Sequence, residues 1–184
     1  MSKQAPEQMR RIRPSGPPTV LRALLYVYPG AFIVDKVHTD DAGVLHDRRH
    51  ALAGESWSLG QVILSWEDSA EGAAVADDSR NVAIHEFAHQ LDQENGRANG
   101  APYLRSAARR ARWASVLGTK FSALQRRVSA GEASLLGDYG ASDPAEFFAV
   151  ASEVFFERPL RLEAEHGALY RELSSFYRVN PLSW

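Results

Sequence analysis

A chain of 184 residues with 45% hydrophobic and 24% charged side chains has the composition of one packed domain. The net charge of −2 supplies no field to hold a polyanion, and there is no apolar run long enough to span a bilayer or serve as a signal peptide. Direct nucleic-acid binding and a membrane span are therefore not expected. The absence of cysteine excludes disulfides, thiol catalysis and thiolate metal ligands and fits a reducing compartment, so any transition metal must be held by His and carboxylate.

Residues 1–20 contain Pro6, Pro14, Pro17 and Pro18 with several basic side chains and no apolar periodicity, which predicts a flexible basic tail ahead of a folded domain at 21–184. From Leu21 onward, short apolar runs at 24–28, 31–34, 43–46 and 61–66 are separated by turn residues and predict the strands of a small sheet. In the run 61–66, Val62, Leu64 and Trp66 fall on one side and Ile63 on the other. After Asp77 and Asp78 the period becomes helical. Residues 81–93 place Ile84, Phe87, Ala88 and Leu91 on one stripe, Gly96 and Gly100 end the helix, and Pro102 stands where the next could begin.

The segment 105–128 is basic without an acid, whereas 132–172 is predominantly acidic. These faces are expected to be solvated or to complement each other, with a docking surface as the alternative. Asp143 followed by Pro144 and Glu146 has the form of a helix start, carrying a helix to about residue 157, and 160–177 forms a last amphipathic helix. Strands first and helices afterwards predict an α+β fold.

On the helix 81–93 sits His85-Glu86-Phe87-Ala88-His89, an H-E-x-x-H. Two imidazoles four residues apart share a helix face and can reach one Zn²⁺, while Glu86 beside them can address a water. Asp92, on the same side, is expected to accept the second ring N–H of a histidine. A catalytic zinc takes three protein ligands, and the third is expected to be a downstream carboxylate. Glu146 and Glu153 both qualify by spacing, with helix capping as the competing role for Glu146.

Two longer stretches narrow this. Residues 85–96, HEFAHQLDQENG, followed by 139–153, YGASDPAEFFAVASE, resemble the Mlc titration factor A family of bacterial zinc-dependent peptidases, whose catalytic domain is similar to that of anthrax lethal factor. The resemblance runs from about Leu24 to Trp184. It implies a zincin-like, cytoplasmic metallopeptidase with aminopeptidase-like activity on peptide substrates and one Zn²⁺ per chain. In enteric members it also implies binding to a transcriptional repressor, and the short region ahead of Leu24 is expected to bear most on that property. Carried over by position, the resemblance implies His85, His89 and Glu146 as metal ligands, Glu86 as general base and Tyr139 facing the oxyanion. The alternative is a zinc-containing regulatory module that sequesters a repressor, docking through the basic helices. The strand 61–66 is expected to be the sheet edge that holds an extended peptide.

Overall fold

The structure, a computed structural model, describes residues 24–39, 45–57, 60–75 and 78–184. The predicted tail at 1–20 and part of the predicted strand 43–46 lie outside the described residues. Strands come first: β1 (Leu24–Tyr28), β2 (Phe32–Thr39), β3 (Leu45–Leu52), β4 (Gly54–Trp57) and β5 (Gln61–Ser65). Helices follow: α1 (Trp66–Ala74), α2 (Val82–Asp92), α3 (Ala107–Ser129), α4 (Pro144–Glu157) and α5 (Pro159–Tyr177). The class is α+β, as the order of periods predicts. No helix among the described residues is long and apolar enough to cross a membrane.

The strands form two sheets. β2 and β3 make an antiparallel ribbon, while β1, β5 and β4 lie side by side in that order, β1 parallel and β4 antiparallel to β5. β5 is thus the central strand, and the expectation that it forms the sheet edge is wrong; the edge on that side is β4. For the same reason Val62, Ile63 and Leu64 are all buried instead of alternating. A strand flanked on both sides and covered by α1 and α2 has no face left for water. Trp66 does not continue the strand either. It opens α1 and is largely exposed, because Ser65 caps that helix by accepting a hydrogen bond from the Asp68 N–H at 3.2 Å.

Pro102 does not start a helix. Ser106 takes that role, accepting the Arg109 N–H at 3.2 Å, and α3 begins at Ala107. The core lies among α3, α4 and α5, where Trp113, Leu117, Phe147, Phe148, Phe155 and Leu169 are buried together. Burying such side chains contributes about 1.5–3 kcal/mol each before entropy is counted. Gly100 locks the loop before α3 onto α4. Its φ is +74°, a Cβ there would stand 2.3 Å from the Pro144 carbonyl oxygen, and its own carbonyl accepts the Trp113 Nε1–H at 2.8 Å.

The charged faces answer one another. Arg112 of α3 pairs with Glu172 of α5, Arg109 donates to Ser175 at 3.1 Å, and Arg127 meets Glu132 at 3.5 Å. The basic segment therefore complements the acidic one within the chain.

Candidate metal centre

Asn81 caps α2, its side-chain oxygen accepting the Ile84 N–H at 3.1 Å, and the helix then carries His85 and His89 one turn apart. α4 starts at Pro144 because Asp143 Oδ1 accepts from the N–H groups of Ala145 at 2.8 Å and Glu146 at 3.0 Å. The Glu146 side chain does not turn back on that cap. It crosses to α2, where Oε2 lies 3.0 Å from His85 Nε2 and 3.4 Å from His89 Nε2.

The two Nε2 atoms are 3.1 Å apart, and the rings meet edge to face at 77°. Two imidazole nitrogens and one carboxylate oxygen thus converge, all within 4.8 Å of one another. Among the described residues this is the group of His and acids with metal-ligand geometry. Nitrogen and oxygen donors without thiolate suit a borderline divalent ion.

The electrostatics point the same way: the group attracts positive charge. Burial, the largest influence on His85, disfavours its charged ring, yet hydrogen bonds to Glu146 and Glu153 outweigh it and push the pKa up to about 10. Burial would also raise the Glu146 carboxyl, but hydrogen bonds from His85 and His89 hold it well below the usual carboxylate range. A cation placed among these atoms would meet an ionised carboxylate and two ring nitrogens already aimed at it.

Glu86 is buried beside them. Burial pushes its carboxyl up, while the imidazoles of His85 and His89 pull it back. Tyr139 stands on a 3₁₀ turn (Tyr139–Ala141), its ring 5.9 Å from that of His85 and 62% exposed. Its hydroxyl is pushed upward by desolvation and by the neighbouring Glu146 carboxylate. Two cavities meet at His85 and Tyr139. One, of about 690 Å³, is lined by Gly54, Ser56, Glu86, His89 and Glu146, and the other, of about 590 Å³, by Val82, Leu136, Val150, Glu153 and Arg158.

The five residues to which the resemblance assigns roles, His85, Glu86, His89, Glu146 and Tyr139, thus lie in one place. Two other expectations change. Asp92 does not hydrogen-bond a histidine: its Oδ2 accepts the N–H groups of Asn99 at 2.7 Å and Gly100 at 2.6 Å, fixing the loop after α2. The apolar stripe of α2 is not its most buried side. Phe87 is exposed, whereas Glu86, Ala88, Gln90 and Asp92 are buried, because the strand β4 and helix α4 lie against the polar face.

The sequence reading also missed β4. Ser65 N donates to Ala53 O at 2.7 Å, so in this antiparallel pair Ala53, Glu55 and Trp57 bond to β5, while Gly54 and Ser56 turn their backbone groups to the free edge. There Ser56 O accepts Gln93 Nε2 at 3.3 Å. A Cβ at Gly54 would stand 2.6 Å from Glu86 Cγ, so the missing side chain is what lets the strand lie against Glu86. A lone glycine opening the tetrapeptide Gly54-Glu55-Ser56-Trp57 was the available signal, pointing to close backbone approach.

An α+β fold that brings the two histidines of an H-E-x-x-H helix against a glutamate of a second helix, α4, is that of a metallopeptidase-like protein. Residues 21–178 match the glucose-regulated metallo-peptidases M90, and the chain belongs to that family. It is 38% identical over 159 residues to the uncharacterized protein slr2042 of Synechocystis sp., a match covering 86% of this chain and 58% of that protein. It is 37% identical over 160 residues to Mlc titration factor A of Yersinia enterocolitica (85% and 59%). To the protein of that name in Pectobacterium atrosepticum it is 39% identical over 162 residues (85% and 59%). The chain therefore spans less than two thirds of the length of these relatives.

Proposed function

We propose that residues 21–184 are a zincin-like peptidase domain that binds one Zn²⁺ through His85, His89 and Glu146 and hydrolyses peptides, with aminopeptidase-like activity in the cytoplasm. The observation that carries this reading is the convergence of His85 Nε2, His89 Nε2 and Glu146 Oε2 next to the buried Glu86. Three protein ligands leave a coordination position for chemistry, whereas structural zinc is usually closed by four. Bound zinc would supply Lewis acidity, polarising the substrate carbonyl and making water acidic near neutral pH.

The chain's own residues do the rest. Glu86 accepts the proton of the attacking water and returns it to the departing amine nitrogen, a role that its burial and raised pKa suit. Tyr139 donates its O–H to the oxygen that becomes negative as the carbonyl is attacked. The outward edge of β4 offers the backbone groups of Gly54 and the Ser56 N–H to an extended peptide, so main-chain hydrogen bonds hold the substrate with little demand on its sequence.

A second role, capture of a transcriptional repressor, is favoured by the name Mlc titration factor A that relatives carry. The basic helix α3 supports it weakly as the docking surface, since Arg109, Arg112 and Arg127 are engaged within the chain. The peptidase reading is tested by elemental analysis and chromogenic-peptide hydrolysis before and after chelation. One zinc per chain is expected, with hydrolysis lost on its removal and restored by its return, and zinc lost in Glu146→Ala. Hydrolysis indifferent to complete metal removal would overturn it.

A further inference from the structure

Among the described residues, Glu153 is a buried carboxylate in contact with a proposed ligand that the proposed chemistry leaves unused. It sits on α4 two helical turns beyond Glu146, 5% exposed, and both of its oxygens are engaged by α2. Oε1 lies 2.8 Å from His85 Nδ1, the ring nitrogen opposite the one that faces Glu146. Oε2 accepts the backbone N–H of Asn81, the residue that caps α2, at 2.7 Å. We propose that Glu153 is the positioning residue of the metal centre, holding the hydrogen of His85 on Nδ1 so that the Nε2 lone pair is aimed at the point shared with His89 and Glu146. The inference rests on the metal-site reading above and names what sets that site's geometry.

Glu146 and Glu153 face opposite nitrogens of the ring, so when a metal takes the place of hydrogen on Nε2, the contact with Glu153 keeps the remaining hydrogen on Nδ1 and leaves the Nε2 lone pair to the ion. The contact also fixes the ring's rotation, because Glu153 itself is held by the Asn81 N–H. One helix face of α4 thereby provides a ligand, Glu146, and the orienter of another. Glu157, one turn further on, accepts the Asn81 side-chain N–H at 2.9 Å and ties the same two helices together without touching a histidine. His89 lacks any such support, since its Nδ1 is buried with no hydrogen-bond partner among the described residues. His85 is accordingly the preset ligand of the pair.

Glu157 supplies the control that separates positioning from mere helix pinning. Zinc affinity is measured by competition with a chromophoric chelator for the whole chain and for Glu153→Ala, Glu153→Gln and Glu157→Ala. Melting of the chelator-treated proteins and the visible spectrum of the Co²⁺-loaded ones are recorded alongside. Glu153→Ala should bind zinc about 10–100-fold more weakly, the range typical for loss of an outer-shell partner, and shift the Co²⁺ bands. Glu153→Gln should also weaken binding while melting close to the parent, because its amide can donate to Nδ1 and so stabilise the ring with hydrogen on Nε2, which cannot ligate. Glu157→Ala should melt lower yet keep zinc affinity within about threefold of the parent.

Parent-like affinity and spectra in both Glu153 variants would overturn the inference. So would an equal affinity loss in Glu157→Ala, which would make Glu153 a helix pin only. Failure of the parent chain to bind zinc at all would instead overturn the metal-site reading on which the inference stands.

Discussion

Gly54 and Glu86 share a space that admits only one side chain. A Cβ on Gly54 would stand 2.6 Å from Glu86 Cγ and 2.9 Å from its Oε1, closer than side chains approach in folded proteins. The strand that offers its edge to the cleft and the carboxylate assigned as general base are thus packed directly against each other, and any change in one moves the other.

Gly54→Ala should therefore displace Glu86 or push β4 outward. Overpacking of this kind costs about 1–3 kcal/mol, so melting should fall, but the larger effect is expected on turnover, by about tenfold or more. Zinc content should be unchanged, because none of the three proposed ligands touches Gly54. Parent-like turnover measured on the folded variant would show that Glu86 has room to relax.

Glu86→Gln removes the proton acceptor with almost no change of shape. Metal content should stay at one per chain while hydrolysis falls about 10²–10⁴-fold, the range for loss of a general base. Elemental analysis beside a peptide assay separates this from loss of a ligand. A variant that turns over normally would show that the proton acceptor is a group other than Glu86.

Much of the site was legible in the sequence because its parts are local. The four-residue spacing of His85 and His89 and the Asp143-Pro144 start of α4 each depend on one helix alone, and the structure places both as expected. Placement between elements was not legible. Periodicity shows that Glu146 and Glu153 share a face of α4, but only the packing of α4 on α2 decides that one meets His85 Nε2 and the other Nδ1. Packing likewise buries both faces of β5, where alternation suggested one. The capping Ser65 and the glycine at Gly54 were local signals for α1 and β4, and both elements are short enough to be overlooked.

His166 predicts an acid sensitivity away from the metal centre. It interrupts α5 with non-helical φ −139° and ψ 44°, and both ring nitrogens are buried without a hydrogen-bond partner among the described residues. Burial lowers its pKa, the Lys120 and Arg127 charges lower it further, and Glu165 opposes them. The unfolded chain then takes up this proton at a higher pH than the fold does. The neutral ring's contribution is complete above the unfolded pKa of about 6.5 and is lost as pH falls below it toward the folded value. The drop in melting temperature between about pH 7.5 and pH 5.5 should be smaller in His166→Gln than in the parent. An unchanged drop would assign the acid sensitivity to other groups.

Tyr139 offers the sharpest separation of chemistry from packing. Its ring is 62% exposed and lies against His85, so removing the hydroxyl takes little from the core, and Tyr139→Phe should fold and hold zinc like the parent. The nearby Glu146 carboxylate and desolvation push the phenol's pKa upward, which keeps its proton in place across the neutral and alkaline range. It therefore remains a donor throughout that range, and an alkaline limb in the pH profile of the proposed hydrolysis should not come from it. The proton matters only to charge that appears as the carbonyl is attacked. Loss of one such donor typically lowers kcat about 10²–10³-fold while KM stays nearly constant. A rise in KM at constant kcat would mean instead that Tyr139 binds the substrate's ground state, and the developing oxyanion would then need a donor elsewhere in the cleft.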